Sequence, residues 1–204
     1  MERDFLQAYG PFLAITITLF TYLGVPEYGW SIAFLQTLFL LFWSYAGHAW
    51  CHMPEMPVYL INPHVQLHHN YSIDLPRWLA LILEAIVNFF GFAILLVAEW
   101  LLGVKVLSTW IVLAAAFLYI CIHILDYSIW PNPEHQLHHA QATCSYSPQF
   151  MDVIFNTRCD PTLPYDDFNL KIPHAIASFA LAFALRENET TSTFIHSLTP
   201  SQTH

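Results

Sequence analysis

The chain has 204 residues, of which 56% are hydrophobic and only 10% are charged, and its formal net charge is −9. This composition is typical of a membrane protein rather than a soluble globule, and the acidic balance argues against nucleic-acid binding, which normally uses a basic face. Histidine is the unusual component, because the chain has 12 histidines and only 6 lysines and arginines together. Imidazole is the commonest side-chain metal ligand, so the composition indicates metal binding.

Four apolar stretches are long enough to cross the hydrocarbon core of a bilayer as helices. They cover residues 5–25, 31–50, 78–103 and 109–126. Short turns at 26–30 and 104–108 predict two helical hairpins, which the more polar segment 53–77 separates. The predicted fold is therefore all-α and integral to the membrane, with four transmembrane helices as two hairpins and a histidine-rich metal-binding cap.

Beyond Trp130 no further span is predicted. Residues 174–185 are expected to form a short amphipathic or interfacial helix. The Thr- and Ser-rich residues 187–204 are predicted to be a disordered polar tail, so residues 1–186 form a single membrane-embedded domain.

The distribution of basic residues predicts the orientation of the four spans. The residues on the histidine side are Arg3, Arg77, Arg158, Lys171 and Arg186. Only Lys105 lies on the other side, so the positive-inside rule predicts a cytosolic histidine face.

Three clusters of histidines fall at this predicted face. They are, in chain order, His48 and His52, then His64, His68 and His69, and then His135, His138 and His139. Residues four apart share one face of a helix, as His48 and His52 must if they bind one metal. His123, near the end of the fourth span, lies at the same depth. Two metals that each take about four imidazoles, with one position open, would use these histidines.

Other iron chemistries fit this pattern less well. Soluble di-iron bundles use carboxylates with Glu-x-x-His on their helices, a motif that the sequence lacks. The mononuclear 2-His-1-carboxylate site uses fewer histidines. The ligand type therefore predicts a polynuclear site rich in imidazole.

At these residues the chain resembles the fatty acid hydroxylase/sterol desaturase superfamily of integral membrane enzymes. The family pattern is H-x3-H followed twice by H-x2/3-HH, and the three clusters match it in order. Residues 149–158 resemble the segment of aromatic, Asp, Phe and Thr residues that follows the third cluster in this family. A further histidine between the second and third clusters is usual, which corresponds to His123. The resemblance covers roughly residues 40–160.

The resemblance implies a membrane-bound di-iron oxygenase that uses O2 to hydroxylate or desaturate a fatty acyl or sterol-like lipid. It implies two iron ions, which zinc can replace, held by the eight clustered histidines and His123; His174 is a further candidate ligand. No catalytic residue beyond the metal ligands is expected. The sequence contains no haem, flavin or nicotinamide motif, so a b-type cytochrome and its reductase would supply electrons. In a eukaryotic host the expected membrane is the endoplasmic reticulum.

A membrane metal transporter or a structural metal-binding membrane protein is the alternative. Transport requires ionisable groups near the middle of the bilayer, and only Glu84 and Asn88 are predicted to lie that deep. This pair is interpreted as an interhelical hydrogen bond, as a polar contact for a substrate headgroup or as a partner of a metal ligand. Asp74, Asp126 and Glu134 are candidates for orienting imidazoles, or else for capping and solvation.

The cysteines show no metal or disulfide spacing. Cys51, Cys121, Cys144 and Cys159 contain no C-x-x-C pair, and we predict reduced thiols.

Overall fold

The computed structural model describes residues 4–53, 64–65, 69, 75–130, 132–188, 191 and 193, and these contain helices and connections without a strand. The helices are α1 (Phe5–Cys51), α2 (Arg77–Leu102), α3 (Thr109–Cys121), α4 (Pro133–Ala140), α5 (Gln149–Phe155) and α6 (Ile172–Glu187). A π-helical segment, Ile122–Ile129, continues α3, and a 3-10 turn, Phe168–Lys171, leads into α6. The all-α prediction is confirmed for these residues.

Four helical stretches are long and apolar enough to cross a membrane. They are Phe5–Cys51, Arg77–Leu102, Thr109–Ile129 and Phe168–Glu187. The α2 stretch is the most hydropathic, yet only 17% of its apolar window is buried. Its exposed side chains include Ile82, Ile86, Phe90 and Ile94, which recur every four residues along one face. A hydrocarbon environment accommodates such a face, and the helices are compatible with a membrane protein.

The first helix has 47 residues, about twice the number that one membrane crossing needs. Its backbone leaves the helical region only at Gly29, whose φ of 70° is readily adopted by glycine. Thr21 Oγ1 lies 3.4 Å from Thr37 Oγ1, so the two halves of α1 pack against each other. The predicted turn at 26–30 is thus reduced to a break at one glycine.

The central helix is α3, which contacts α1, α2 and α6. Its alanines, Ala114, Ala115 and Ala116, are all buried. Small residues let neighbouring helix backbones approach closely, as in packed membrane helices. The core of the protein therefore surrounds α3.

The last helix differs from the short interfacial helix predicted for residues 174–185. It has 16 residues and packs against α1 and α3. Asn169 Nδ2, just before α6, donates to the carbonyl of Gln7 at 2.7 Å. Arg186 Nη1, at its end, donates to the carbonyl of Leu23 at 3.1 Å. These two bonds show that α6 runs alongside the first half of α1 in the same direction.

The cysteine prediction is wrong for one pair, because Cys144 and Cys159 form a disulfide. Cys51 and Cys121 are thiols outside this bridge, as expected. The bridged residues are 15 apart in sequence, a spacing that carries no recognisable signature. Most of the predicted polar tail, at 189–190, 192 and 194–204, lies outside the described residues.

Candidate metal centre

Five histidines converge at one end of the helices. They are His48, His52, His64, His69 and His138, and one ligand nitrogen of each lies within 4.8 Å of one from every other. All except His69 are buried. Two nitrogens on opposite sides of one metal ion are about 4.2 Å apart, since each bond is about 2.1 Å. The group is therefore compact enough to hold one metal ion.

The ends of two helices supply three of these rings. His48 lies in the last turn of α1, and His52 caps that helix. Their ring centroids are 5.0 Å apart, as the i, i+4 spacing predicts. His138 lies in the last turn of α4, and its ring centroid is 5.0 Å from that of His48. The first and third sequence clusters therefore meet.

The separation of two ring nitrogens fits ligands of a single ion. His52 Nε2 lies 3.3 Å from His64 Nε2. One metal ion could bind both nitrogens, because a metal–nitrogen bond is about 2.1 Å long.

Two of the rings are held by hydrogen bonds through Nδ1. His138 Nδ1 lies 2.7 Å from the carbonyl oxygen of Cys144, so it donates the proton and leaves the lone pair on Nε2. His48 Nδ1 lies 3.3 Å from the hydroxyl of Tyr119. The Nε2 atoms of both histidines are buried and have no hydrogen-bond partner within the described part of the chain. Buried polar atoms normally have a partner, and a metal ion would satisfy both.

Burial disfavours protonation of three of these rings, those of His52, His69 and His138. Burial lowers the pKa of His52 to about 4 and that of His138 to about 3. The pKa of His69 is lowered further, by burial and by the neighbouring His52. Neutral imidazole is the form that binds metal, so these nitrogens are available at neutral pH.

A second set of histidines adjoins the first. His135 Nε2 lies 3.1 Å from His139 Nε2, and the His123 and His135 centroids are 5.4 Å apart. The ring of His139 stacks on His69 at 4.4 Å. His123 is fully buried and its Nε2 lies 3.2 Å from Oε1 of Glu84. All described histidines of the three sequence clusters therefore lie in one region.

Two candidates from the sequence, His174 and Asp126, stand apart from these two sets of histidines. His174 Nε2 lies 3.5 Å from Oδ2 of Asp126 and is not a member of the five-histidine group. His68 and Asp74 lie outside the described residues.

Glu134 supports the third cluster without bonding to an imidazole in the described part of the chain. Its Oε1 lies 2.9 Å from Nε of Arg158, and the pair is almost fully buried. Gln149 also donates to Glu134. Asp152 accepts hydrogen bonds from the backbone N–H groups of Tyr146 and Ser147. The sequence segment 149–158 therefore acts as a scaffold beneath α4 and its histidines.

Sequence reasoning missed two groups that contact the histidines, the carbonyl of Cys144 and the hydroxyl of Tyr119. The carbonyl of Cys144 leaves no sequence signal, because every residue has one. Tyr119 is four residues before His123, and that helical spacing could have identified it. Glu84 was identified from the sequence, and it contacts Ser128 of the neighbouring helical segment and the candidate ligand His123.

A narrow apolar cavity lies beside the second set of histidines. Its volume is about 30 Å³, enough for about two water molecules. Its lining includes Phe12, Phe20, Phe92, Phe150 and His123. The cavity could admit a thin apolar group to the neighbourhood of a candidate ligand, and its aromatic walls disfavour water.

Comparison with family models, with curated protein sequences and with solved structures finds no match to this chain. The fold and the site define a broader class, namely a helical protein with membrane-length apolar helices and a buried histidine cluster. The donor set is suited to holding a metal ion.

Proposed function

We propose that the protein is a membrane-bound di-iron oxygenase that uses O2 to hydroxylate or desaturate a lipid chain. The five-histidine group at one end of the long apolar helices carries the proposal. Iron is one of the metals that imidazole suits, and when bound there it would activate O2 for attack on a C–H bond. A lipid could reach the site from the bilayer, while O2 and reductant approach the same face.

The residues of the chain would orient the ligands and exclude water. Cys144 and Tyr119 hold the rings of His138 and His48 through Nδ1, which leaves Nε2 directed to the metal. The phenylalanines of the cavity would surround the lipid chain, and their rotation would widen the narrow space. Precise placement of one carbon beside the metals would decide between hydroxylation and desaturation.

In the membrane, the halves of α1 would form one hairpin, and α2 with α3 and its π-helical extension would form a second. The α6 helix would cross the bilayer beside the first half of α1, which places Arg186 with Lys105 opposite the histidines. The predicted excess of basic residues then falls from five against one to four against two, and still favours a cytosolic histidine face.

The Cys144–Cys159 disulfide argues against a cytosolic histidine face, because disulfides are rare in the cytosol. We nevertheless assign the histidine face to the cytosol, where the donor cytochrome and reductase would dock. Thr162 is exposed on this face and offers a labelling position. A Thr162→Cys variant should react with a membrane-impermeant maleimide from the cytosolic side of sealed vesicles. Reaction from the opposite side only would reverse the assignment.

A structural metal site is the second candidate, and the close approach of five imidazoles favours it. A closed structural site surrounds its ion with protein ligands, whereas a catalytic site keeps a position open. Metal transport receives less support, because the group lies at the end of α1 rather than midway along a long helix. Metal content and oxygen chemistry separate these functions.

The test compares detergent-purified wild type with His138→Ala and with His174→Ala, which changes a histidine outside the five-histidine group. We expect about two iron ions per chain in wild type and in the control, and loss of iron in His138→Ala. The wild type should consume O2 with a reductant and yield an oxidised or desaturated lipid by mass spectrometry. Tightly bound zinc without oxygen uptake after iron loading would favour the structural site, and absence of metal would contradict both functions.

A further inference from the structure

Glu84 is a buried carboxylate within the most apolar of the long helices. It is only 6% exposed and lies in α2, two turns into the helix. Its Oε1 lies 3.2 Å from Nε2 of His123 and 2.6 Å from the hydroxyl of Ser128. Both partners belong to the π-helical segment that follows α3.

The π-helical geometry brings these two partners to one carboxylate. In an α-helix, residues five apart point about 140° away from each other, since each residue turns by about 100°. Here the hydroxyl of Ser128 lies 3.1 Å from the carbonyl oxygen of His123, five residues earlier. Irregular π-helical turns are often found at functional sites. The local backbone thus directs both side chains toward α2.

A buried carboxylate requires compensation for the loss of water. An isolated charge in an apolar setting is costly unless it is paired and hydrogen-bonded. Ser128 contributes a neutral hydroxyl, and the guanidinium of Arg77 donates to the carbonyl of Ser128. A metal ion on the His123 ring would supply positive charge next to Glu84, as in carboxylate–histidine–metal triads.

We propose that Glu84 positions His123 for a second metal ion, which His123, His135 and His139 hold beside the five-histidine group. The carboxylate accepts the Nε2 proton of His123, so that the lone pair is on Nδ1, which is also buried. His135 and His139 bring their Nε2 atoms to 3.1 Å, a separation that suits two ligands of one ion. This assignment rests on the proposed two-metal function, but it assigns Glu84 a role that the five-histidine group does not require.

The experiment measures metal per chain and the rate of metal transfer to a chelator, using zinc-loaded protein in detergent. The variants are Glu84→Ala, which removes the acceptor, and Glu84→Gln, which keeps an oxygen that can accept from Nε2. Two controls are Ser128→Ala, which removes only the neutral donor, and Glu99→Gln. Glu99 is buried in the same helix and accepts from the backbone of Val106 and Leu107.

We expect two zinc ions in wild type and in both controls. Glu84→Ala should release one ion about 10–100-fold faster and keep the other, the usual effect of losing such a partner. Glu84→Gln should fall between wild type and Glu84→Ala, because a positioning role is partly restored by a neutral acceptor. Helical circular dichroism should match wild type in each protein.

Three results would overturn the proposal. They are a wild-type rate of release from Glu84→Ala, equally faster release or loss of both ions in that variant, and release from Ser128→Ala as fast as from Glu84→Ala. A wild type that binds one ion tightly would overturn the second position and leave metal binding intact. A wild type without metal would instead refute the proposed function itself, so the two failures are distinguishable. If Glu84→Ala does not fold, the rate of zinc release from Glu84→Gln decides between the outcomes. An unchanged rate in that variant would contradict a role of the carboxylate charge.

Discussion

The carbonyl oxygen of Cys144 lies 2.7 Å from Nδ1 of His138. Cys144 is itself tied to Cys159 by a disulfide, and Ser145 N donates to the carbonyl of Thr157. The loop that orients His138 is therefore held to the segment after α5 by a disulfide and by a backbone hydrogen bond. Because the Cys144 carbonyl lies in this loop, these two bonds help to fix the orientation of the His138 ring.

Removing the bridge should weaken metal binding without abolishing it. We expect Cys159→Ser to release metal up to about tenfold faster than wild type, because the carbonyl stays but is less well fixed. Chelator competition measures the rate, and Cys121→Ser provides a control with a free thiol. Equal rates in both variants would mean that the backbone bonds alone fix the loop.

Metal-free protein should lose stability on acidification. The folded-state pKa values of His52 and His139 are lowered to about 4 by burial, whereas an unfolded histidine has a pKa of about 6.5. Their stabilising contribution is thus present above pH 6.5 and is lost as the pH falls through about 4. We expect the thermal midpoint in detergent to drop by about 5 °C or more over this interval.

The variant His52→Gln should show a shallower dependence on pH, since one of the titrating groups is absent. Thermal unfolding followed by circular dichroism between pH 7.5 and 4.5 measures both proteins. A midpoint that stays constant or rises on acidification would be inconsistent with neutral buried imidazoles.

Breaking the ion pair beneath the third cluster should be costly. Arg158 and Glu134 are almost fully buried, and the carboxylate raises the pKa of the Arg158 guanidinium although burial opposes the shift. We expect Arg158→Gln to destabilise the fold by about 3–5 kcal/mol, because it leaves the buried charge of Glu134 uncompensated.

The ion pair of Arg186 with the exposed Glu187 supplies the contrast. Glu187→Gln should change stability by less than about 1 kcal/mol, as is usual for surface ion pairs. Denaturation in detergent measures both variants, and a similar small effect in Arg158→Gln would show that the buried pair contributes little.

On the proposed function, filling the apolar cavity should lower lipid turnover more than metal binding. Ala115 lines the cavity and is buried in α3. We expect Ala115→Leu to lower lipid oxidation at least about tenfold while the metal content stays at the wild-type value, with a stability cost of about 1–3 kcal/mol from overpacking. Product analysis and metal analysis on the same sample measure both effects. Unchanged turnover would place the substrate elsewhere.

Apolar length and histidine spacing predicted the parts of the protein that depend on local sequence. The third predicted span, 78–103, differs from α2 by one residue at each end, because a long apolar run is an unambiguous signal. The i, i+4 spacing of His48 and His52 likewise predicted their proximity. These features need no knowledge of distant contacts.

Features that depend on tertiary contacts were not predictable from the sequence. The bond of Arg186 to Leu23 joins residues far apart in the chain and shows the packing of α6. The apolar length of residues 168–187 was present in the sequence, but Pro173 and His174 near its start favoured a shorter helix. The Cys144–Cys159 bridge also depends on how two loops meet.

Both ends of α1 reach the same region, because its two halves pack against each other around Gly29. Tyr9, near the beginning, donates to Gln149, which in turn donates to Glu134 beneath the third cluster. His48, near the other end, belongs to the five-histidine group. The opening turns of α1 thus help to support the candidate metal centre, and we expect a deletion that reaches Tyr9 to disrupt it. An affinity tag for purification is accordingly better attached beyond α6.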